Sequence, residues 1–551
     1  MRLTTIFSAA VILGGLAGCA TTAQQESAAE PQLSLSTLTT ATQILSSDQY
    51  EGRAPTTPGE ERAVNYIAER FQQAGLQPGN HGEWFQSVPL VETTATPTPL
   101  RITGGNGPLT FNYRTDMVAN TYQVQPRVAL DNSEIVFVGY GINAPERGWN
   151  DYAGVDVRGK TVIILVNDPD WQSESLEGPF NGRAMTYYGR WTYKYEEAAR
   201  QGAAAAFIVH ETAPAAYGWN VVQSSWTGAQ YNMDEPGNHM DQSRVIGWLT
   251  QEAAGRLFAN SGLDLAALSA QARQPGFRPV PLRSRASISL QNQIRRQASR
   301  NVIGVLPGRT RPDEYVIYTA HWDHLGRCDA DETGDDICNG AVDNASGTAG
   351  LIALAEAHVR AGAPDRTLIF LAVTAEESGL LGSRYYAEHP IFPLAQTAGG
   401  INMDSLSLFG DARDLVSVGA GKSELDAYLR RAAAASRLVL RPEPAPEAGY
   451  YYRSDHFSLA RQGVPMLYPK LGEDLVNGGV AAGHAAAQDY RANRYHQPSD
   501  EYNPSWDWTG ALRELGIFYR IGRELAMSED WPNWNRGDEF RAIRDRSRAG
   551  Q

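Results

Sequence analysis

Cysteine is scarce in this chain, which has three cysteines among its 551 residues. One of them, Cys19, ends an N-terminal apolar run, so Cys328 and Cys338 remain for the rest of the chain. The acidic loop between these two contains no second pair of Cys or His, which makes them poor zinc ligands. In an oxidising compartment so close a pair most simply forms a disulfide, and we predict that bond.

Positive charge is also in short supply. Lys and Arg number 48 against 62 Asp and Glu, and the formal net charge is -14. Binding to nucleic acid needs a basic surface to meet the phosphates, so this composition argues against a nucleic-acid partner. With 42% hydrophobic and 20% charged residues, the composition is that of an ordinary globular protein. The length exceeds what one hydrophobic core usually serves, which predicts two domains or more.

The apolar run at the N-terminus is too short for a membrane-spanning helix. It follows a basic residue and ends in small residues, as an export signal does, and a buried N-terminal helix is the alternative. The ending Leu16–Cys19 resembles the bacterial lipobox, in which the cysteine becomes the lipidated first residue of the mature protein. We therefore predict a signal peptide over residues 1–18, a tether over 19–32 and a lipid anchor at Cys19. Ala20 in place of Asp favours the outer membrane of a bacterial cell envelope, facing the periplasm.

The segment from Ser36 to about Leu76 has the apolar spacing of two helices separated by a turn-rich break. The middle of the chain then follows the order strand, strand, helix, strand, which describes a small α/β unit. Residues 130–215 of this unit resemble a protease-associated domain, for example in the stretch DYAGVDVRGKTVIIL. A substrate-facing role and a purely structural insertion are both open for it.

Beyond Ile288, apolar strands alternate with helical segments. Such alternation predicts an α/β fold with a mixed, mostly parallel sheet that is flanked by helices on both faces. The inserted unit would add a second, smaller α/β domain. Polar residues cluster directly after the predicted strands, at the carboxyl ends where ligands bind in such sheets.

Acidic and histidine residues recur at these strand ends. They are His321, Asp343, Glu376, Glu377 and Asp404, followed much later by His496. Carboxylates are costly at buried strand ends unless a positive group meets them, so a metal ion is the expected partner. Nitrogen and oxygen ligands without thiolate suit Zn2+, with Mn2+ and Co2+ as alternatives.

The order H-x-D, D-N-x-S-G, E-E, M-D and Y-H-x-P-S-D resembles the M28 family of metallopeptidases, over about residues 33–95 and 288–530. The resemblance implies two zinc ions and five ligands, namely His321, Asp343, Glu377, Asp404 and His496. His321 and Asp404 would hold one ion, and Glu377 and His496 the other. Asp343 would bridge both ions, and Glu376 would act as the general base.

The residue types agree with these implied roles. Two metals about 3.5 to 4 Å apart can share one water and lower its pKa toward about 7. Neighbouring side chains of an extended segment point apart, so Glu377 can bind a metal while Glu376 faces the water. The family often has a cis peptide beside the bridging residue, which here would be Asp343–Asn344.

Further residues are expected around the metals. Asp323 points to the same side of an extended segment as His321 and is expected to accept the ring N–H of that histidine, with an exposed loop carboxylate as the alternative. Tyr495 precedes the last ligand, as in some aminopeptidases of the family, where the phenol donates to the developing oxyanion; packing is the alternative. Asp455, within the family element S-D-H, is expected to line the substrate pocket. Arg453 beside it could bind a substrate carboxylate.

On this resemblance the chain divides into a first peptidase part over residues 33–118, an inserted protease-associated-like domain over 119–286 and the main peptidase part over 287–551. We expect a zinc-dependent hydrolase of peptide substrates that cleaves at a chain end, most simply an aminopeptidase. The alternatives are a carboxypeptidase or dipeptidase of the same family, a glutaminyl-cyclase-like transferase with one zinc, and a non-catalytic receptor-like binding protein.

Overall fold

The computed structural model describes residues 33–549. The predicted signal peptide, the tether and Cys19 lie outside the described residues, so export and lipid anchoring stay predictions from the sequence. Between residues 33 and 549, no helix is both long enough and apolar enough to cross a membrane.

Helices and strands alternate along most of the described chain. The α-helices span Leu35–Leu45, Pro58–Ala74, Trp191–Arg200, Thr212–Ala215, Trp219–Ser225, Gln251–Asn260, Leu265–Ala272, Gly347–Arg360, Leu381–Glu388, Leu425–Ala435, His456–Arg461, Gly479–Asn493, Thr509–Met527 and Arg541–Arg548. The strands span Gln77–Pro78, Phe85–Pro97, Leu100–Gly104, Leu109–Phe111, Met117–Asn120, Arg127–Phe137, Asn143–Ala144, Trp149–Asn150, Thr161–Leu165, Ala205–His210, Ala229–Met233, Val245–Thr250, Val280–Leu306, Arg311–His321, Gly326–Arg327, Ile337–Cys338, Arg366–Val373, Thr397–Asn402, Asp414–Val418, Val439–Arg441 and Met466–Leu471.

The helical pair predicted near the start of the chain is confirmed as Leu35–Leu45 and Pro58–Ala74. Thr57 caps the second helix by accepting the N–H of Glu60, and Gly75, at φ 96°, ends it in the left-handed conformation. Both helices pack against a third helix of the C-terminal half. They therefore belong to the same layer as this helix, although about 270 residues separate Ala74 from Gly347 in sequence.

Parallel strands form the centre of the C-terminal half. Arg311–His321 runs parallel to Arg366–Val373 on one side and to Thr397–Asn402 on the other. Met466–Leu471 continues the sheet in the same direction. The carboxyl ends of these four strands consequently lie along one edge of the sheet.

Both faces of this sheet are buried. Along Arg311–His321, Val316 and Tyr318 pack into the core that includes helix Gly347–Arg360, whereas Ile317 packs into a separate core on the opposite face. Because successive side chains of a strand point to opposite faces, burial on both sides requires helices on both sides. The predicted fold class, a mixed and mostly parallel sheet flanked by helices, is confirmed.

A second α/β unit is built on its own parallel strands. Arg127–Phe137, Thr161–Leu165 and Ala205–His210 are neighbours in this order, and Val245–Thr250 follows them. We refer to this unit, whose two hydrophobic cores draw on residues from Leu100 to Leu290, as the second lobe. Its likeness to a protease-associated domain stays a prediction.

One long strand, Val280–Leu306, runs through both units. Its first part pairs with Arg127–Phe137, its middle with Phe85–Pro97 and its end with Arg366–Val373. The core of the second lobe begins before residue 119 and extends past residue 286. The second lobe therefore includes packed residues beyond both ends of the predicted 119–286 segment. They join it through strand pairing, which the local sequence pattern does not reveal.

Cys328 and Cys338 form a disulfide with a Cα separation of 5.9 Å. The bond closes the acidic loop between two short antiparallel strands, Gly326–Arg327 and Ile337–Cys338. This hairpin lies close to the turn that contains Arg53. The disulfide therefore closes a loop that follows the strand ending at His321.

Candidate metal centre

The predicted ligands gather at one edge of the central sheet. His321 is the last residue of the strand Arg311–His321. Glu376, Glu377 and Asp404 follow within a few residues of the ends of the two strands that flank it. Because neighbouring parallel strands end at the same edge, these side chains converge there.

The Asp343 carboxylate lies between two imidazoles. Its Oδ1 atom is 3.3 Å from Nε2 of His321, and its Oδ2 atom is 3.4 Å from Nε2 of His496. Asp343 belongs to the kinked helical turn Ala341–Ser346, and the Asp343–Asn344 peptide is cis. A carboxylate with one oxygen toward each imidazole has the arrangement of a ligand shared between two ions.

Two further carboxylates stand beside this central one. Nε2 of His321 is 3.8 Å from Oδ1 of Asp404, and Nε2 of His496 is 3.0 Å from Oε2 of Glu377. Each imidazole thus shares Asp343 and has one more carboxylate of its own, in the same pairing as the ligand sets expected from the sequence. Two groups have ligand atoms that all lie within 4.8 Å of one another, namely His321 with Asp343 and Glu377, and His321 with Glu376 and Asp404.

Burial and crowded charge shift the pKa values of these groups. Burial alone would lower the pKa of His496, but Glu377 and Asp343 raise it to about 10. Carboxylates act on His321 in the same way, Glu376 most strongly, and hold its pKa well above the ordinary value against the effect of burial. Burial opposes ionisation of Glu377, yet the neighbouring imidazole of His496 brings its pKa down to about 2. A buried cluster with this much ionised carboxylate requires positive charge at its centre.

Glu376 lines two cavities of about 280 Å³ each that adjoin the cluster. Burial raises the pKa of Glu376 well above that of an ordinary glutamate, and the opposing effect of His321 does not cancel this shift. A buried carboxyl group that keeps a high pKa beside an open cavity is suited to accept a proton and to return it.

The two cavities differ in character. The first lies between the second lobe, which contributes Arg190 and Trp226, and the C-terminal half, which contributes Glu376, Arg453 and His496. The second lies beside Asp404 and has a largely apolar wall. That wall includes Leu406, Phe409, Val418, Tyr468 and Leu471.

Asp323 and Asp455 do not take the roles expected from the sequence. Nδ1 of His321 is 3.2 Å from the main-chain carbonyl of Asp323 but 3.8 Å from its carboxylate, so the backbone accepts the ring N–H. The Asp323 carboxylate instead accepts the N–H of Glu376 at 3.1 Å, and burial raises its pKa to about 7.

Asp455 is fully buried and lines neither of the two cavities that Glu376 lines, which corrects the expectation that it contacts substrate. It directly precedes helix His456–Arg461, of which all residues but the last are buried.

Tyr495 lies against the cluster and faces both cavities. Its ring centroid is 3.9 Å from that of His496, and burial holds its pKa well above the ordinary value. The phenol therefore keeps its proton and can donate it in a hydrogen bond. Arg453 donates to the Tyr495 oxygen at 3.4 Å and lies 5.2 Å from the ring centroids of Tyr217 and Tyr450.

A second arginine, Arg190, reaches the first cavity from the second lobe. It is 8% exposed, and its Nε has no hydrogen-bond partner. Burial, together with the nearby charge of Arg453, lowers the pKa of Arg190 to about 10. A buried guanidinium with an unpartnered donor at a cavity is suited to receive an anionic group.

Two contacts come from residues within or directly after the quoted motifs, for which the sequence predicted no role. His324, which directly follows H-x-D, has its Nδ1 2.6 Å from Oε1 of Glu377. Asp500, the last residue of Y-H-x-P-S-D, accepts the main-chain N–H groups of Val342 and Asp343, each at 3.1 Å. The motifs themselves were the available signal, because both residues are polar and adjoin predicted ligands.

Two other contacts had no signal in the sequence. Arg53 is completely buried, and its guanidinium donates to four main-chain carbonyls on the segments around the centre. These carbonyls belong to Leu45, Trp322, Asn339 and Gly340. The pattern around Arg53 indicates only a turn. Ser225 of the second lobe has its Oγ 2.8 Å from Nδ1 of His496.

The donor set fits zinc. It consists of imidazole nitrogens and carboxylate oxygens without thiolate, as in zinc sites with open coordination positions. Nε2 of His321 and Nε2 of His496 are both buried, have no hydrogen-bond partner and face Asp343. A bound cation would satisfy both nitrogens and the carboxylates between them.

Imidazole and carboxylate donors at the strand ends of an α/β sheet, with a buried glutamate beside them, are the arrangement of a metal-dependent hydrolase. Comparison with known proteins shows which kind of hydrolase the chain resembles, because residues 301–517 match the model of Peptidase family M28. The family resemblance expected from the sequence is confirmed over this segment.

Relatives match shorter segments of the chain. Aminopeptidase NAALADL1 from Mus musculus is 35% identical over 147 residues, which is 25% of this chain and 18% of that protein. A Glutamate carboxypeptidase 2 homolog from Caenorhabditis elegans is 33% identical over 126 residues, which is 22% of this chain and 15% of that protein. The matched part therefore spans less than a fifth of either relative. Among solved structures, an aminopeptidase from Aneurinibacillus sp. strain AM-1 has a TM-score of 0.49 and 21% identity, over 89% of this chain and 93% of that one.

Proposed function

We propose that this chain is a two-zinc exopeptidase, in the first place an aminopeptidase. The observation that carries the proposal is the Asp343 carboxylate, whose oxygens lie 3.3 and 3.4 Å from the His321 and His496 imidazoles. Asp404 beside the first imidazole and Glu377 beside the second complete a set of three donors for each of two ions.

The residues around this centre fit hydrolysis of a peptide bond. Bound zinc would supply Lewis acidity, which polarises the scissile carbonyl and lowers the pKa of water toward about 7. Glu376, with its raised pKa, would take the proton from the attacking water and pass it to the leaving amine. Tyr495, protonated and beside His496, would donate a hydrogen bond to the oxyanion that develops on the carbonyl oxygen.

The aminopeptidase assignment is supported by the carboxylates that face the second cavity. Asp404 and Glu376 line it and can attract the free amino group of a peptide. The apolar wall of the same cavity suits an apolar side chain on the residue that is removed. The NAALADL1 relative also has the name of an aminopeptidase.

A carboxypeptidase or dipeptidase is the second candidate, and a specific observation favours it. Arg190 and Arg453 both line the first cavity together with Glu376, and the Nε of Arg190 has no partner. Guanidinium groups so placed can hold the free carboxylate of a short peptide. The two candidates differ only in which end of the peptide the site holds.

Export to the bacterial cell envelope is part of the proposal. Its support is the N-terminal segment, with an apolar run that ends at Cys19. The disulfide between Cys328 and Cys338 is consistent with an oxidising compartment. A lipid on Cys19 would hold the enzyme at the outer membrane, facing the periplasm.

Two measurements on the purified protein test the proposal. Metal analysis should find two zinc ions per chain, and a metal-free preparation that keeps full activity would contradict it. A substrate panel then compares aminoacyl amides that have a free amino group with N-blocked peptides that have a free carboxylate. An aminopeptidase cleaves the first set, whereas cleavage of the second set alone identifies a carboxypeptidase. The Glu376→Gln variant, purified in parallel, shows whether a contaminating peptidase contributes.

A further inference from the structure

The side chain of Ser225 contacts a proposed metal ligand from the other lobe. Its Oγ lies 2.8 Å from Nδ1 of His496, although the two residues are 271 positions apart. Ser225 is the last residue of helix Trp219–Ser225 in the second lobe. The five proposed zinc ligands, in contrast, all belong to the C-terminal half of the chain.

The two ring nitrogens of His496 face different partners. Nε2 is directed at Glu377 and Asp343, at 3.0 and 3.4 Å, which leaves Nδ1 for Ser225. An imidazole that binds a metal through Nε2 carries its proton on Nδ1 and must donate it to an acceptor. The hydroxyl oxygen of Ser225 is in place to be that acceptor. A hydrogen bond from Nδ1 to this oxygen would fix the orientation of the ring.

Ser225 is itself held firmly in the second lobe. Its carbonyl accepts the side-chain N–H of Gln230 at 3.1 Å. The next residue, Trp226, packs against Trp191 and Trp248, with ring centroids 5.5 and 6.4 Å apart. The hydroxyl therefore moves with the aromatic core of the lobe rather than with the loop of His496.

Main-chain contacts join this lobe to the C-terminal half. The side-chain amide of Asn167 donates to the carbonyl of Glu447 at 2.9 Å, and the N–H of Met185 donates to the carbonyl of Pro446 at 3.0 Å. These bonds connect two loop residues of the second lobe to the loop that precedes Arg453. The position of Ser225 relative to the metal centre thus depends on how the two lobes are docked.

The other proposed histidine ligand is oriented in a different way. Nδ1 of His321 donates to the main-chain carbonyl of Asp323, two residues along the same loop. That acceptor remains wherever the second lobe lies, whereas the acceptor for His496 is supplied across the lobe boundary. The two halves of the proposed centre therefore differ in their dependence on the second lobe.

We propose that Ser225 is a positioning residue that orients His496 for zinc, so that the second lobe forms part of the metal centre. This inference rests on the proposed function, because it requires zinc at the Glu377 and His496 donors. It gives the second lobe a role in metal affinity that is separate from any contact with substrate. Of the two ions, it assigns this dependence to the one held by His496 and not to the one held by His321.

The test compares three variants of the full chain, namely Ser225→Ala, Ser225→Thr and Ser224→Ala. The neighbouring Ser224 hydroxyl bonds to carbonyls of its own helix at 3.0 and 3.2 Å, so its variant controls for loss of a serine at the lobe surface. Zinc affinity is measured by competition with a chromogenic chelator, and folding is checked by thermal unfolding. We expect Ser225→Ala to bind one of its two zinc ions roughly 10- to 100-fold more weakly and to keep the affinity of the other. Ser225→Thr, which keeps the hydroxyl, and Ser224→Ala should bind both ions as the unmodified protein does.

Three other outcomes would each overturn the inference. Two zinc ions held as tightly in Ser225→Ala as in Ser224→Ala would overturn the positioning role and leave the proposed function standing. An unmodified protein that binds no zinc would overturn both. Equal weakening in Ser225→Ala and Ser225→Thr, with a lowered unfolding temperature in each, would show that packing rather than the hydroxyl matters and would also overturn the inference.

Discussion

Nδ1 of His324 lies 2.6 Å from Oε1 of Glu377, and both side chains are buried. The other carboxylate oxygen of Glu377 is 3.0 Å from Nε2 of His496. His324 thus contacts one oxygen of a proposed zinc ligand while the second oxygen faces the metal centre. Substitution of a group that contacts a ligand in this way typically lowers metal affinity by about 10- to 100-fold.

Replacing His324 with Phe should weaken zinc binding while the aromatic volume is kept. Without the imidazole, Glu377 loses the partner that fixes its carboxylate, and we expect affinity for one ion to fall by roughly 10- to 100-fold. Chelator competition measures this change. His484→Phe, at a side chain that is 54% exposed, is the control and should bind zinc normally. Normal zinc affinity in His324→Phe would show that Glu377 needs no such support.

Glu376→Gln should separate metal binding from catalysis. Gln has almost the same shape but cannot accept a proton from water, so turnover should fall by about 100- to 10,000-fold while two zinc ions stay bound. Steady-state kinetics with an aminoacyl amide and metal analysis provide the two readings. Glu252→Gln, at an exposed position on helix Gln251–Asn260 of the second lobe, is the matched control. Unchanged turnover in Glu376→Gln would remove this residue as the general base.

Arg190→Met distinguishes the two candidate activities. If the first cavity holds a free substrate carboxylate, loss of this guanidinium should raise KM for N-blocked peptides with a free carboxylate by roughly 10- to 100-fold. The same variant should leave KM for aminoacyl amides unchanged, because they have no carboxylate. Arg200→Met, at an exposed position at the end of the helix that Arg190 precedes, serves as control. Kinetic constants in Arg190→Met that equal those of the unmodified protein for both substrate types would argue against a carboxylate site.

Arg53→Lys should destabilise the fold around the metal centre. The guanidinium satisfies buried carbonyls at 2.6 to 3.0 Å, and an ammonium with a single nitrogen cannot reach all of them. Each carbonyl left without a donor carries a desolvation cost, and we expect the free energy of unfolding to fall by about 3 kcal/mol. Chemical denaturation measures it. Arg62→Lys, whose side chain is 48% exposed, should change stability little.

His358 makes stability depend on pH in the acid range. It is fully buried, and burial lowers its pKa to about 3, whereas the unfolded chain has the ordinary value of about 6.5. Between these values the unfolded state binds the extra proton and the folded state does not. The contribution of neutral His358 to the free energy of unfolding is therefore fully present above about pH 6.5. It is lost as the pH falls toward 3, by at most about 1.4 kcal/mol per pH unit.

The variant His358→Phe isolates this contribution. Tyr318 keeps a hydrogen-bond acceptor in the carbonyl of Phe518 at 3.1 Å, and a phenyl ring can keep the stacking on Tyr519. Thermal unfolding between pH 4 and pH 7 should show a shallower loss of stability in this variant than in the unmodified protein. His389→Phe, at an exposed position, should follow the unmodified protein. Identical pH profiles for all three proteins would show that His358 is not the titrating group.

The sequence by itself determined the alternation of strands and helices in the C-terminal half and the types of residue at the strand ends. Parallel strands buried on both faces are uniformly apolar, so a polar residue directly after one is conspicuous in the chain. For this reason His321, Glu376 and Asp404 could be identified as candidate site residues from the sequence alone. The bridging position of Asp343 could be inferred as well, from its motif and the resemblance it carries.

Only the tertiary structure decided which side chains support these residues. Arg53 looks like part of an ordinary turn, and Ser225 lies at the end of a short helix in another lobe. For Asp455 the motif suggested a contact with substrate, but its side chain is fully buried. Contacts between positions hundreds of residues apart leave no periodicity in the sequence, since periodicity reports only the face of one element. The relative placement of the two lobes, and with it the hydroxyl beside His496, follows from packing that forms only when the whole chain has folded.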